Sequence, residues 1–295
     1  MATPQRRRLP TQSLLGDGGL AAHQHSAGEG WALAEGDCRE LLSLLPPSSV
    51  DLVFADPPYF LSNGGFTCHA GRRAPVRKGA WDASRGVAED HRFNVAWLAA
   101  CQRVLKPDGT LWVSGTQHGI FSVGFALQSL GFKLLNTVTW YKPNASPNLS
   151  CRYFTHSSEL LIWAAPRPGP RLLHTFHYQE MRAEAGGKQM RDVWALPPTG
   201  EEELDEKGQG RVWTLTGPKQ QEKALGRHPT QKPVALLERV VRASSSPGAL
   251  VLDPFCGSGT TGIAARSLGR RFLGFDASAE YLALATSRLE ALSEA

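Results

Sequence analysis

No apolar run in the 295 residues approaches the roughly 20 positions that a membrane-spanning helix needs. The opening MATPQRRRLPTQ is basic, but no apolar stretch follows it, so a secretory leader is not expected. Cysteine is scarce and odd in number, five in all, with no CxxC pair. That disfavours both a disulfide framework and a zinc site, and it fits reduced thiols in a cytoplasmic protein that needs no metal. There is no internal repeat.

What is present reads as an ordinary globular chain, 41% hydrophobic and 20% charged, long enough for one large domain or two small ones. The net charge of +5 and a pI near 9.0 are compatible with a polyanionic partner. Residues 1–30 are polar and aperiodic and are expected to form a flexible arm. From 31 the text becomes regular. Strands are expected at 32–37, 50–55, 110–115, 133–143, 158–165, 249–253 and 270–276. Helices are expected at 93–105, 122–131, 234–244, 259–269 and 278–292. This alternation predicts an α/β fold: a mostly parallel sheet with helices on both faces. Residues 60–90 read as a long loop. Residues 166–226 read as an inserted region of weak core with an acidic run, EEELDE. The insertion divides the domain into a half at 31–165 and a half at 227–295.

Two stretches carry chemistry. In LVLDPFCGSGTTG (250–262) a strand runs into glycines that open a helix. Glycines let the backbone approach a ligand where a Cβ would collide, and helix N-terminal amides face whatever lies there. Gly257, Gly259 and Gly262 spell GxGxxG, and Asp276 ends the next strand, placed to accept both hydroxyls of a ribose. A bare turn, a dinucleotide site and an S-adenosylmethionine site all fit the glycines. Asp253 disfavours pyrophosphate, because its carboxylate repels phosphates but pairs with an ammonium. A nucleoside triphosphate is disfavoured too, since no lysine follows the glycines as in a P-loop.

The second stretch, VDLVFADPPYFLSNGG (50–65), ends a buried strand in an acid, two prolines and a tyrosine. Pro57 and Pro58 have no N–H and fix φ, which leaves a rigid turn with outward carbonyls. A base amine has two hydrogens and a lone pair delocalised into its ring. The Asp56 carboxylate and the Pro57 carbonyl can each accept one N–H, which frees the lone pair to attack a methyl group. Tyr59 is placed to stack on the base. A base inside a duplex must be flipped out to reach such a pocket.

DPPY upstream of DPFCGSGTT, with HPTQKP (228–233) just before the latter, resembles the circularly permuted β group of DNA amino-methyltransferases. Further likeness lies in LKPDGTLWVSG and TWYKPNASPN. DPPYFLSNGG, KGAWD, PNLSCRYFTHSSE and KQMRDVW resemble the second adenine methylases of Dpn-type GATC restriction systems. The resemblance implies a Rossmann-like fold and methylation of adenine N6 in GATC, on double-stranded and also single-stranded DNA, with S-adenosylmethionine as cofactor. It also implies a homodimer and a cognate restriction endonuclease as partners. It assigns the target adenine to Asp56, Pro57 and Tyr59, with Pro58 shaping the turn. Phe255, Gly257 and Gly259 would line the cofactor, with Thr260 and Thr261 near its carboxylate. Asp276 would take the ribose, Asp37 the cofactor's adenine amine, and Thr230 and Lys232 the methionine carboxylate. A lysine opening a helix opposes the dipole, which an anion beside Lys232 would explain, and a plain surface lysine fits equally well.

DNA contacts are expected from Arg72, Arg73, Arg77 and Lys78 in the long loop and from Lys188 and Arg191 in the insertion. The alternatives within reach are a cytosine-N4 methyltransferase, where relatives more often carry Ser at the Asp56 position, an RNA or protein-glutamine methyltransferase, a dinucleotide enzyme, and a non-catalytic DNA-binding module.

Overall fold

The computed structural model describes residues 19–62, 66–69, 72–75, 82–142, 145, 147–166, 173–194, 218, 222, 224–226 and 230–294. For 66–69, 72–75 and 293–294 it describes the backbone alone. Among them no helix is long and apolar enough to cross a membrane.

The continuous apolar run VDLVFA forms β3 (Val50–Ala55), and LVLD forms β10 (Leu250–Asp253). Both are buried on their two faces, as expected for inner strands of a parallel sheet. They lie side by side with Val251 opposite Leu52, so segments far apart in sequence become neighbours. Around them run β2 (Trp31–Glu35), β11 (Arg271–Asp276) and β6 (Leu105–Gly115), giving the parallel series β2-β11-β10-β3-β6. Beyond β6 the sheet continues antiparallel through β8 (Ser158–Ala165) to β7 (Lys133–Tyr141).

Alternate residues of the inner strands feed two cores. Val53, Ala55, Leu111, Val113 and Leu252 face α1 (Cys38–Leu44), α2 (Val87–Val104) and α3 (Ile120–Ser129). Leu52, Phe54, Trp112 and Val251 face α5 (Val234–Ser244), α6 (Thr260–Ser267) and α7 (Ala279–Glu294). The chain leaving β10 enters α6 on one face, while the chain leaving β3 reaches α2 on the other. A crevice opens where such paths diverge, at the carboxyl ends of the two strands.

Four expectations need correction. Residues 19–28 are not a free arm: Gly19–His23 is a short 3-10 helix that buries Leu20, and β1 (Gln24–Gly28) pairs antiparallel with β2 at the sheet edge. An edge strand needs few apolar residues, so QHSAG gave no periodic signal. Within 166–226, α4 (Tyr178–Glu184) and the two-residue β9 (Val193–Trp194) belong to the main body. β9 pairs with β7, and Trp194 packs against Trp112 at 5.6 Å. The long loop at 60–90 contains a hairpin, β4 (Phe66–His69) with β5 (Arg72–Pro75). α2 starts six residues earlier than its apolar spacing suggests, because its first turn is polar and exposed.

Candidate active site

Asp56 follows directly on β3, and its carboxylate is held on three sides. Oδ1 accepts from the Tyr59 hydroxyl at 2.7 Å and from the Ser114 hydroxyl at the end of β6. Oδ2 accepts from Lys232 Nζ at 2.6 Å. A carboxylate has about four acceptor positions, so the one left open is on Oδ2. The turn itself is braced from below by Asp82. This fully buried carboxylate accepts from the backbone N–H of Tyr59 (2.9 Å) and Leu61 (3.3 Å) and from the Ser62 hydroxyl (2.8 Å). Phe60 is pressed into a left-handed conformation, φ 57°, which is unusual for a bulky residue and marks a turn determined by its surroundings.

Tyr59 does not lie open for a base to stack on. It is 7% exposed, with its hydroxyl on Asp56 and Lys232 Nζ 3.0 Å from that oxygen. A buried phenol needs a hydrogen-bond partner, and here the partner is the acid it orients. Burial first, then the negative charges of Asp56 and Glu159, push the Tyr59 hydroxyl well above its ordinary pKa, so it stays a donor.

Lys232 supplies the second departure. Its ammonium is buried against Asp56, with Glu159 Oε2 at 3.6 Å, rather than being reserved for a cofactor carboxylate. Burial pulls its pKa down, but Asp56, Tyr59 and Glu159 outweigh that and the net shift is strongly upward. The other oxygen of Glu159 pairs with Lys142. Burial would raise the Glu159 pKa, yet Lys232 and Lys142 hold it below the ordinary range. Two acids and two lysines thus form one nearly neutral buried chain. Ser114, Lys142, Glu159 and Asp82 had no signal in the sequence, since each acts across strands. All four lie inside stretches that carry the family likeness, LKPDGTLWVSG, TWYKPNASPN, PNLSCRYFTHSSE and KGAWD, but nothing within those stretches sets them apart.

A cavity of about 420 Å³ opens beside Asp56, a size suited to a nucleoside-bearing ligand. Asp37, Asp56, Pro58, Thr230, Phe255, Gly257 and Asp276 all line it, so the turn after β3 and the loop after β10 share one space. Phe93 and Phe255 form an apolar wall, ring centroids 6.2 Å apart, and Trp97 backs Phe255 edge-on at 5.3 Å. Asp276 accepts from Gly257 N–H (2.8 Å) and Ser278 N–H (3.0 Å). Burial raises its pKa, while those N–H bonds oppose the rise. A half-buried carboxylate with spare acceptor positions at the wall of a half-apolar cavity fits a ribose, and S-adenosylmethionine fits the cavity's chemistry.

A second, small cavity of about 30 Å³ joins the catalytic turn to the glycine loop. Asp56, Thr230, Lys232, Asp253, Phe255, Gly257, Thr260 and Thr261 line it. Asp253 accepts from Phe255 N–H at 3.0 Å and from the Thr261 hydroxyl. Thr260 is engaged by Arg288 of α7, whose Nη1 lies 3.1 Å from its hydroxyl and also donates to Ser258. Gly259 lines neither cavity. It caps α6 in the left-handed region, φ 75°, where an added Cβ would lie 2.9 Å from that of Ala285, so helix packing explains this glycine. Asp37 caps α1, and both its oxygens are taken by Arg39, which holds its pKa down. Cys256 is buried, and burial pushes its thiol well up, which makes it inert.

Of the residues expected at DNA, Arg72 and Arg73 lie in β5, described by backbone alone, and Arg77 and Lys78 lie outside the described residues. Lys188 and Arg191 are exposed between α4 and β9, at the sheet edge rather than at the cavity.

Residues 50–287 match the family described as DNA methylase, N6_N4_Mtase. The chain is 49% identical over 262 residues to the type II methyltransferase M2.DpnII of Streptococcus pneumoniae, covering 89% of this chain and 90% of that one. It is 48% identical over 257 residues to the type II methyltransferase M2.LlaDCHI of Lactococcus lactis subsp. cremoris, covering 87% and 88%. Among solved structures it is similar to the DNA modification methylase TTHA0409 of Thermus thermophilus complexed with S-adenosyl-L-methionine, at 25% identity and a TM-score of 0.56, covering 88% and 95%.

Proposed function

Since the chain belongs to the DNA methylase family, we propose that its particular reaction is methylation of adenine N6, in GATC, on duplex DNA and also on single strands. The chain is an S-adenosylmethionine-dependent DNA methyltransferase. The observation that carries the finer reading is Asp56, with one acceptor position of Oδ2 left open at the joint of the two cavities. The bound cofactor supplies an electrophilic methyl group on a sulfonium. Asp56 Oδ2 and the Pro57 carbonyl accept the two N–H bonds of a flipped-out adenine, which turns the N6 lone pair away from the ring. Lys232, Tyr59 and Ser114 hold the acid still, so most of the catalysis is alignment. Hydrogen bonds to Asp56 strengthen as positive charge develops on N6. Asp56 or water then takes the surplus proton.

An acid at position 56, where cytosine-N4 relatives more often carry Ser, favours adenine. The likeness of DPPYFLSNGG and KQMRDVW to Dpn-type systems favours GATC. The same likeness supports a cognate endonuclease, a homodimer and a cytoplasmic location. Exposed Phe121 and Phe125, one turn apart on α3, offer an apolar face for pairing. Incubation with labelled S-adenosylmethionine and a GATC duplex, followed by nucleoside analysis, should yield N6-methyladenine. Label in N4-methylcytosine, or equal label in a duplex lacking GATC, would refute the base or the site respectively.

Asp253 provides a binding test. Burial, assisted by Asp56 and Asp276 and opposed by Thr261 and the Phe255 N–H, raises its pKa from 3.8 to about 7. Its contribution to stability is therefore complete below its unfolded value and is lost as pH rises through about 7. If the ammonium of the cofactor pairs with Asp253, binding favours the ionised form and expels a proton. Calorimetry at about pH 6 in two buffers of different ionisation enthalpy should show release approaching one proton. Asp253→Asn should abolish it. Absence of release in the parent protein would rule the pairing out.

A further inference from the structure

The loop joining β7 to β8 has an unusual tip. Phe154 is 95% exposed and Tyr153 61%, next to an exposed Arg152. Isolated surface aromatics are common, but this one is held out by a dedicated frame. The Asn148 side chain donates to Tyr153 O at 2.6 Å and accepts from Ser150 N–H at 3.0 Å and its hydroxyl at 2.7 Å. Cys151 adopts φ 52°, a left-handed conformation that costs free energy in a non-glycine residue. A frame of side-chain bonds and a strained residue thus presents this ring to water.

The place of the tip indicates its use. The loop closes through Lys142 N–H on Ser157 O at 2.7 Å, and its base carries the Lys142–Glu159 pair that meets Lys232 and Asp56. Phe154 is five residues from Glu159, a chain reach of at most about 18 Å. On the near side the His156 ring packs tilted against Tyr153, centroids 5.4 Å apart, and lies 3.2 Å from Gln117. Gln117 is three residues past Ser114, whose hydroxyl is on Asp56. The tip is thus linked at one end through Glu159 and Lys232, and at the other through Gln117 and the strand end that carries Ser114, to the residues that hold the catalytic acid. A duplex that gives up an adenine to that acid keeps a gap in its stack. Apolar side chains fill or prise open such steps, and unstacking costs about a few kcal/mol.

We propose that Arg152, Tyr153 and Phe154 form a base-stacking wedge: Phe154 enters the DNA stack beside the extruded adenine while Arg152 meets an adjoining phosphate. This rests on the DNA-methylation reading of the same site. The test compares Phe154→Ala and Phe154→Trp with the parent protein on a GATC duplex and on the same duplex with its target adenine mispaired. Mispairing removes much of the cost of extrusion. Phe154→Ala should lower kcat/KM on the paired duplex by about tenfold or more. It should also reduce the fluorescence rise of 2-aminopurine placed at the target. On the mispaired duplex the loss should shrink to about threefold or less, and Phe154→Trp should stay near the parent on both. Cofactor Kd should be unchanged throughout. Parent-like activity of Phe154→Ala on the paired duplex, or equal losses on the two duplexes, would overturn the wedge. A parent protein that methylates neither duplex would instead overturn the methyltransferase reading, and the wedge with it.

Discussion

Asp56→Asn should lower turnover by about a thousandfold while leaving cofactor affinity within about threefold. The substitution keeps the shape of the side chain and removes the charge that two hydroxyls and an ammonium converge on. An amide has one oxygen where the acid has two. Whichever way it turns, either Lys232 or Tyr59 and Ser114 face an NH₂ that cannot accept from them. The target amine then loses a strong acceptor at the moment its nitrogen becomes cationic. The wall at Phe255, Gly257 and Asp276 is built from other strands and stays intact. Equilibrium dialysis with S-adenosylmethionine and single-turnover methylation separate the two effects. Normal single-turnover transfer by Asp56→Asn, or loss of cofactor binding in place of transfer, would remove Asp56 from the chemistry.

Lys232→Met is expected to destabilise the protein with no cofactor present, by about 3 kcal/mol, because it leaves Asp56 and Glu159 facing each other in a buried site without their shared cation. Urea denaturation of the apo protein measures this. The double variant Lys232→Met/Asp56→Asn should lose less than the sum of the two single variants, since it removes one charge of each sign together. Methyl transfer should fail in all three. The sequence reading, in which Lys232 waits for the methionine carboxylate, predicts the opposite pattern: an apo protein of parental stability with weakened cofactor binding. Additive single and double effects would likewise dissolve the pairing seen here.

Much of this molecule was legible in one dimension, for a local reason. VDLVFA and LVLD are short runs buried on both faces, and their apolar continuity shows in the text itself. Gly131, at φ 79°, ends the α3 segment where a left-handed residue was needed. β1 and β9 were illegible. The first is a polar edge strand, and the second is two residues long and held by the ladder to β7 rather than by its own pattern.

The site divides in the same way. The acid-Pro-Pro-Tyr turn, the glycine loop and Asp276 owe their chemistry to neighbours in sequence, so the motifs and the family resemblance they carry pointed to the class of reaction and the order of its two halves. Which charge meets which was decided only by the sheet. Placing β3 between β10 and β6, with β8 next beyond, brings Lys232 to an acid 176 residues away and sets Ser114 and, one strand further, Glu159 on the same side. Charges removed from water must find partners of opposite sign, and the choice among partners belongs to the packed strands rather than to any segment of the chain.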